Sequence, residues 1–141
     1  MYDTILVPTD GSEVSEHAAR EAFELAAAVG ARVQILFVVD ESASSFLLTT
    51  DTMSQVLGEL QDEGERATEA AVALAPDDVD VETAIVRGMS IYSAIVEYAE
   101  DNDVDLVVMG THGRHGVENL LGSTTQRVLT NTEIPVLVVG Q

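Results

Sequence analysis

Five short runs of mostly apolar residues punctuate this chain: Thr4 to Thr9, Arg32 to Val39, Val79 to Val86, Asp105 to Met109 and Ile134 to Val139. Several are apolar without alternation, which is how a strand reads when both of its faces are buried. Segments of helical periodicity separate them. Ala18, Ala22, Phe23, Ala26 and Val29 predict a helix over Ser15 to Val29, closed by Gly30. After a loop from Asp40 to Thr50, the residues Met53, Leu57, Leu60, Ala67, Ala71 and Leu74 predict a long helix that Pro76 ends. Ile91, Ala94, Ile95, Tyr98 and Ala99 make one face of a helix from Ser90 to Asn102, and a short helix lies within Leu120 to Thr130. The order is βαβαβαβαβ. Doubly buried strands alternating with helices require an open, twisted parallel sheet, because each crossover packs its helix back onto the sheet and both faces must be covered.

A length of 141 residues with 46% apolar residues supports one core, so residues 1–141 are expected to form a single α/β domain, without repeat or linker. The absence of cysteine excludes disulfides and thiolate metal sites. Met1-Tyr2-Asp3-Thr4 has no leader character, and no apolar run approaches the roughly 18 residues a membrane span needs, so a cytoplasmic location is expected. Six arginines and no lysine against 25 acids give a formal net charge of −19. Such a chain repels phosphate backbones, which argues against nucleic acid as a partner. Acid excess with no lysine further suggests a halophilic protein, because molar salt shortens the Debye length to about 3 Å and screens the self-repulsion.

In open parallel sheets ligands bind beyond the carboxyl ends of the strands. The loop after the first strand, Asp10-Gly11-Ser12-Glu13-Val14-Ser15, is not the G-x-G-x-x-G of a dinucleotide fold, and without lysine a P-loop NTPase is excluded. The loop after the fourth strand is richer. Gly110, Gly113, Gly116 and Gly122 fall within thirteen residues, and the segment runs into a helix beginning Ser123-Thr124. Glycines let amide N–H groups approach an anion, and a helix start adds hydroxyls, amides and the positive dipole end. Between Thr111 and Arg127 lie two of the six arginines and two of the three histidines, with Glu118 the only acid. A basic island in so acidic a chain suits a phosphate site, with Arg114 or Arg127 to pair with the oxygens.

These pieces resemble the universal stress protein family. V-V-M-G-T-H-G, L-L-G-S-T and I-P-V-L-V-V match the family's G-x2-G-x9-G-[S/T] loop with its flanking strands, and I-L-V-P-T-D-G-S matches the first strand; F-V-V-D and Gly88-Met89-Ser90 extend the likeness along the whole chain. One position departs: eight residues, Arg114 to Leu121, separate Gly113 from Gly122 where the family pattern has nine. The resemblance implies an adenine nucleotide alpha hydrolase-like fold with strand order 3-2-1-4-5. It implies bound ATP, with Mg²⁺ carried by the phosphates. Pro8, Thr9 and Asp10 would line one wall, with Asp10 near the ribose and the Mg²⁺. Val38 would lie against adenine, Met109 and Gly110 would complete the base and ribose pocket, and Gly113, Arg114, Gly122, Ser123 and Thr124 would hold the phosphates.

The reading is therefore a nucleotide-responsive stress module with little or no hydrolysis and an unidentified protein partner. One alternative is a member that has lost the nucleotide through the shortened arm and acts as a dimeric interaction module. Another is a slow phosphate-handling hydrolase or transferase using Asp10 and His112. No catalytic role is assigned, because neither His112 nor His115 has an orienting partner visible in sequence. His17, among Glu13, Glu16 and Arg20, reads as a surface residue. The last strand, Ile134 to Val139, has nothing after it to cover an apolar edge, so a homodimer through that strand is expected.

The charge makes a direct prediction: the cooperative far-UV circular dichroism transition should be lost in dilute buffer and restored at molar salt. A full transition in dilute buffer would mark an acidic mesophilic protein instead.

Overall fold

The computed structural model describes residues 2–42, 50–112 and 121–140, with residues 50–53 as backbone alone. Its elements are β1 (Thr4–Pro8), α1 (Glu13–Val29), β2 (Arg32–Asp40), α2 (Thr50–Val72), β3 (Val81–Gly88), α3 (Ile91–Asp101), β4 (Leu106–Gly110), α4 (Ser123–Asn131) and β5 (Val136–Val139). All strand pairs are parallel, in the order β3-β2-β1-β4-β5. The expected α/β class and the strand order both hold.

Strand β1 occupies the centre, and Ile5, Leu6 and Val7 have no exposed surface. Side chains alternate across the sheet. Ile5, Val7, Val33, Ile35 and Val108 face α1, whose buried Ala18, Ala22, Phe23 and Ala26 meet them. Leu6, Leu36, Val38, Val107 and Met109 face the other layer, with Ile95 and Ala99 of α3 and Val128 of α4. Phe37 and Val39 pack with Ala67, Leu57 and Leu60 of α2. Fully burying one such aliphatic or aromatic side chain contributes roughly 1.5–3 kcal/mol, so the two layers dominate the fold.

Helix α1 shows why its ends fall where they do. Ser12 is its N-cap, with a hydroxyl that accepts from the Ser15 amide at 3.2 Å, and Glu13 and Glu16 lie at the positive end of the dipole. Gly30, at φ 76°, closes it with an amide that donates to Ala26 O at 2.8 Å.

The edges depart from the sequence expectation. β3 pairs from Val81, in register with Val33, to Gly88, whereas the apolar pattern places it from Val79 to Val86. Val79 is 8% exposed because it packs on the core beneath α1 rather than pairing in the sheet. β5 is likewise shorter than the predicted Ile134 to Val139, since Pro135 precedes the first paired residue, Val136. The long helix starts at Thr50, where the sequence reading ends a loop, and α4 runs from Ser123 to Asn131.

One side chain ties the chain's beginning to β4. Asp105 Oδ2 accepts from the amides of Asp3 and Thr4 at 2.8 and 2.9 Å. These bonds hold its carboxyl below the usual carboxylate range. A lowered folded-state pKa stabilises the fold above the unfolded value of about 3.9, and that contribution is lost as pH falls through the folded value. Asp105→Ala should therefore cost about 1 kcal/mol at neutral pH, the partly exposed setting reducing the worth of the charged hydrogen bonds. The deficit should shrink as the pH is lowered below about 4, as read from urea midpoints at constant molar salt.

Candidate functional site

Because β2 and β4 flank β1, the chain leaves the sheet's centre in one direction after β1 and resumes on the other side at β4. The loops after these two strands diverge and leave a crevice between them. A cavity of about 610 Å³ lies there, within the range of small-molecule sites.

The β1 end forms one wall. Thr9 continues the pairing beyond the strand, its amide donating to Leu36 O at 2.8 Å. Its buried hydroxyl meets the hydroxyl of Ser15 at 2.9 Å and accepts from the Gly11 amide at 3.1 Å. Asp10 Oδ1 accepts from the Ser12 amide at 3.0 Å, and Gly11 turns the chain at φ 82°. This tight turn leads straight into the self-capped start of α1.

The β4 end forms the opposite wall. A Cβ on Gly110 would collide with the Val14 side chain, so glycine is what lets the first turn of α1 cross the end of β4. Two bonds then fasten α4 to that end: Thr125 Oγ1 donates to Gly110 O at 2.8 Å, and the Gly122 amide donates to Thr111 O at 2.6 Å. Gly122 sits so close that a Cβ would lie 3.0 Å from the Cα of His112. It is also the N-cap of α4, and it supplies no side chain to cap the helix. The first intrahelical bond is from the Gln126 amide to Gly122 O. The amides of Ser123, Thr124 and Thr125 thus belong to the group for which a helix provides no acceptor of its own.

Between the walls lies an apolar floor of Leu36, Val38, Ile91, Ile95 and Met109. Pro8, Thr9, Asp10, Val38, Met109, Gly110, Gly122, Ser123 and Thr124, all singled out from sequence, line this one cavity. Gly113 and Arg114 lie outside the described residues. Arg127 is not among the residues lining the cavity; its guanidinium lies over the Tyr92 ring, 5.5 Å from the centroid.

Residues that sequence reasoning did not place in the site include Ser15, Phe37, Asp40, Leu60, Glu63 and Thr125, while His112, named there only in the phosphate-handling alternative, also lines it. Asp40 was within reach of the rule that ligands lie beyond strand ends, since it ends β2. Leu60 and Glu63 belong to α2 and had no local signal. The lining thus carries the carboxylates of Asp10, Asp40 and Glu63 beside His112, whose Nδ1 pairs with Thr111 Oγ1 at 3.0 Å, and no arginine among the described residues. Among those residues no cluster of histidine and acid side chains is arranged to hold a metal ion, and no helix is long and apolar enough to cross a membrane.

The chain matches the model of the universal stress protein family over residues 1–140. Universal stress protein MJ0531 of Methanocaldococcus jannaschii is 38% identical over 141 residues, covering 99% of this chain and 82% of the relative. The solved structure of the M. jannaschii protein MJ0577 superposes with a TM-score of 0.87 at 31% identity, covering 100% of this chain and 97% of the other. A universal stress protein in complex with cAMP superposes at 0.69 with 28% identity, covering 99% and 97%. Fold, strand order and similarity over nearly the full length agree, and the chain belongs to the universal stress protein family.

Proposed function

We propose that this protein binds ATP, as Mg-ATP, and serves as a cytoplasmic nucleotide-responsive stress module with little or no hydrolysis. The observation that carries the reading is a single cavity joining an apolar floor to the start of α4, whose glycine N-cap leaves the helix amides for a ligand. The start of α1 offers no equivalent, because Ser12 already satisfies one of its amides. A purine fits the floor at Val38 and Met109, the ribose falls near Asp10, and the phosphates meet Gly122, Ser123 and Thr124. Gly113 and Arg114 are assigned to the phosphates through the family motif. The related structure in complex with cAMP supports an adenine nucleotide as the class of ligand. Mg²⁺ enters with the phosphates, and the family resemblance assigns Asp10 a place near it.

The arm shortened by one residue does not weaken the reading, because Gly122 is fastened directly to Thr111 across the arm's two ends. The amides of α4 are held at the end of β4 whatever path the intervening residues take.

A homodimer through β5 completes the proposal. This strand is the sheet's edge, paired with β4 alone among the described strands, and Leu137 on it is 41% exposed.

Calorimetric titration at molar salt should show one saturable Mg-ATP site per chain. Gly122→Val should abolish it, since even a Cβ there crowds the His112 backbone, and Ser123→Ala should weaken it by roughly tenfold, the worth of one hydrogen bond to a charged group. Absence of heat from a folded chain at millimolar ATP would sink the nucleotide reading and favour the interaction module. For the dimer, sedimentation at molar salt should give twice the chain mass, and Leu137→Glu should give a monomer; an unmodified chain that sediments as a monomer refutes the β5 interface.

A further inference from the structure

Helix α2 contains two glycines, and they sit in opposite circumstances. Gly58 has open space where a Cβ would be, with nothing within 4 Å. Gly64 is buried, and a Cβ there would lie 2.7 Å from Cδ1 of Phe37 and 3.1 Å from Cγ, where ordinary contact begins at 3.4 Å. Glycine is the poorest helix former after proline, so a glycine in the middle of a helix needs a packing reason. Gly58 shows none. At Gly64 the reason is the Phe37 ring.

That ring has little freedom to yield. Phe37 lies on β2, is 6% exposed and packs among Val39, Ala67, Leu57, Leu60 and Ile85. The atoms nearest Gly64, Cδ1, Cγ and Cε1, run along one edge of a ring that those neighbours hold, so an added methyl would press α2 away from β2. Gly64 shares a stripe of α2 with Leu60 and Ala67, one turn away on either side, and Glu63 adjoins it. Phe37, Leu60 and Glu63 all line the cavity. They do so on the β2 side, across the crevice from the amides of α4.

We propose that Gly64 is a positioning residue for the nucleoside end of the ligand: by admitting the Phe37 ring it brings α2 close enough for Leu60 and Glu63 to form that wall of the cavity. The inference rests on the nucleotide reading above and adds to it a division of labour. The end of β4 and the start of α4 hold the phosphates, and α2 closes over the nucleoside. The two walls are separable because they belong to elements on opposite sides of β1.

The test compares Gly64→Ala with Gly58→Ala at a salt concentration where circular dichroism shows both folded, titrating Mg-ATP and Mg-tripolyphosphate. Gly64→Ala should weaken Mg-ATP on the order of tenfold, as when part of an apolar pocket is withdrawn from its ligand, and leave Mg-tripolyphosphate unchanged. Gly58→Ala should alter neither. Should Gly64→Ala fail to fold, Gly64→Ala with Phe37→Leu relieves the contact and should bind Mg-ATP as Phe37→Leu alone does; a weaker double variant overturns the proposal. Equal loss of both ligands in Gly64→Ala, or no loss of Mg-ATP, also overturns it. If the unmodified chain does not bind Mg-ATP, the nucleotide reading fails first and this inference falls with it.

Discussion

The rest of the structure depends on the burial of β1 between two neighbours. Its five residues are buried on both faces while their backbone pairs with β2 on one side and β4 on the other. A strand so placed must satisfy its amides and carbonyls entirely by pairing, since water does not reach it. Parallel pairing throughout the sheet then forces every connection to cross a face of it, and α1, α2, α3 and α4 lie on those crossings. The crevice follows from the same arrangement. With β1 central, the chain cannot place the loops after β1 and β4 side by side without parting them, and the gap between them is the cavity.

Small residues translate that topology into a site. Buried Ala18, Ala19, Ala22 and Ala26 bring α1 close to the sheet, and Gly110 lets its first turn pass over the end of β4. Thr125 and Gly122 pin α4 to the same strand end. The helix start that faces the cavity is therefore set by contacts to β4 and not by the long arm that precedes it. A site whose amides are fixed in this way has no large reorganisation to undergo when an anion arrives, which is the advantage of preorganisation.

Much of this was legible in the residues, for a physical reason. Leu6, Val7, Ile35 and Val108 are apolar because both faces of a central strand are buried, so the middle of the sheet announces itself. The edges do not. Val79 is as apolar as any strand residue but serves the core below α1, and only the register of Val33 with Val81 shows where pairing begins. The start of α4 was legible as Gly122-Ser123-Thr124 because glycine and hydroxyl residues at a helix start carry a local signal. The α2 wall was not, because Leu60 and Glu63 reach the cavity through a contact between Gly64 and Phe37, residues 27 positions apart, and no local pattern encodes such a contact. Arg127 is a different case: its charge suits phosphate, but on α4 its guanidinium lies over Tyr92 and outside the cavity lining, a placement that only the fold reveals.

The charge of the chain and the character of the cavity fit together. With −19 overall and Asp10, Asp40 and Glu63 among the described residues that line the cavity, a bare polyanion meets repulsion from the chain's net charge and from these three side chains. In dilute salt that field extends about 10 Å or more; at molar salt it contracts to about 3 Å, and the attraction exerted by any exposed arginine contracts with it. In the proposed complex, what survives screening is what would lie in contact with the ligand: amides at a helix start, hydroxyls of Ser123 and Thr124, and the divalent ion proposed to accompany the phosphates. The backbone and hydroxyl groups of the proposed site add nothing to net charge, so they leave the acidic surface intact, with Arg114 the one cation assigned beside them. An anion site of this composition reconciles a strongly acidic chain with a phosphate ligand, where a lysine-bearing loop would rely on an attraction that high salt suppresses.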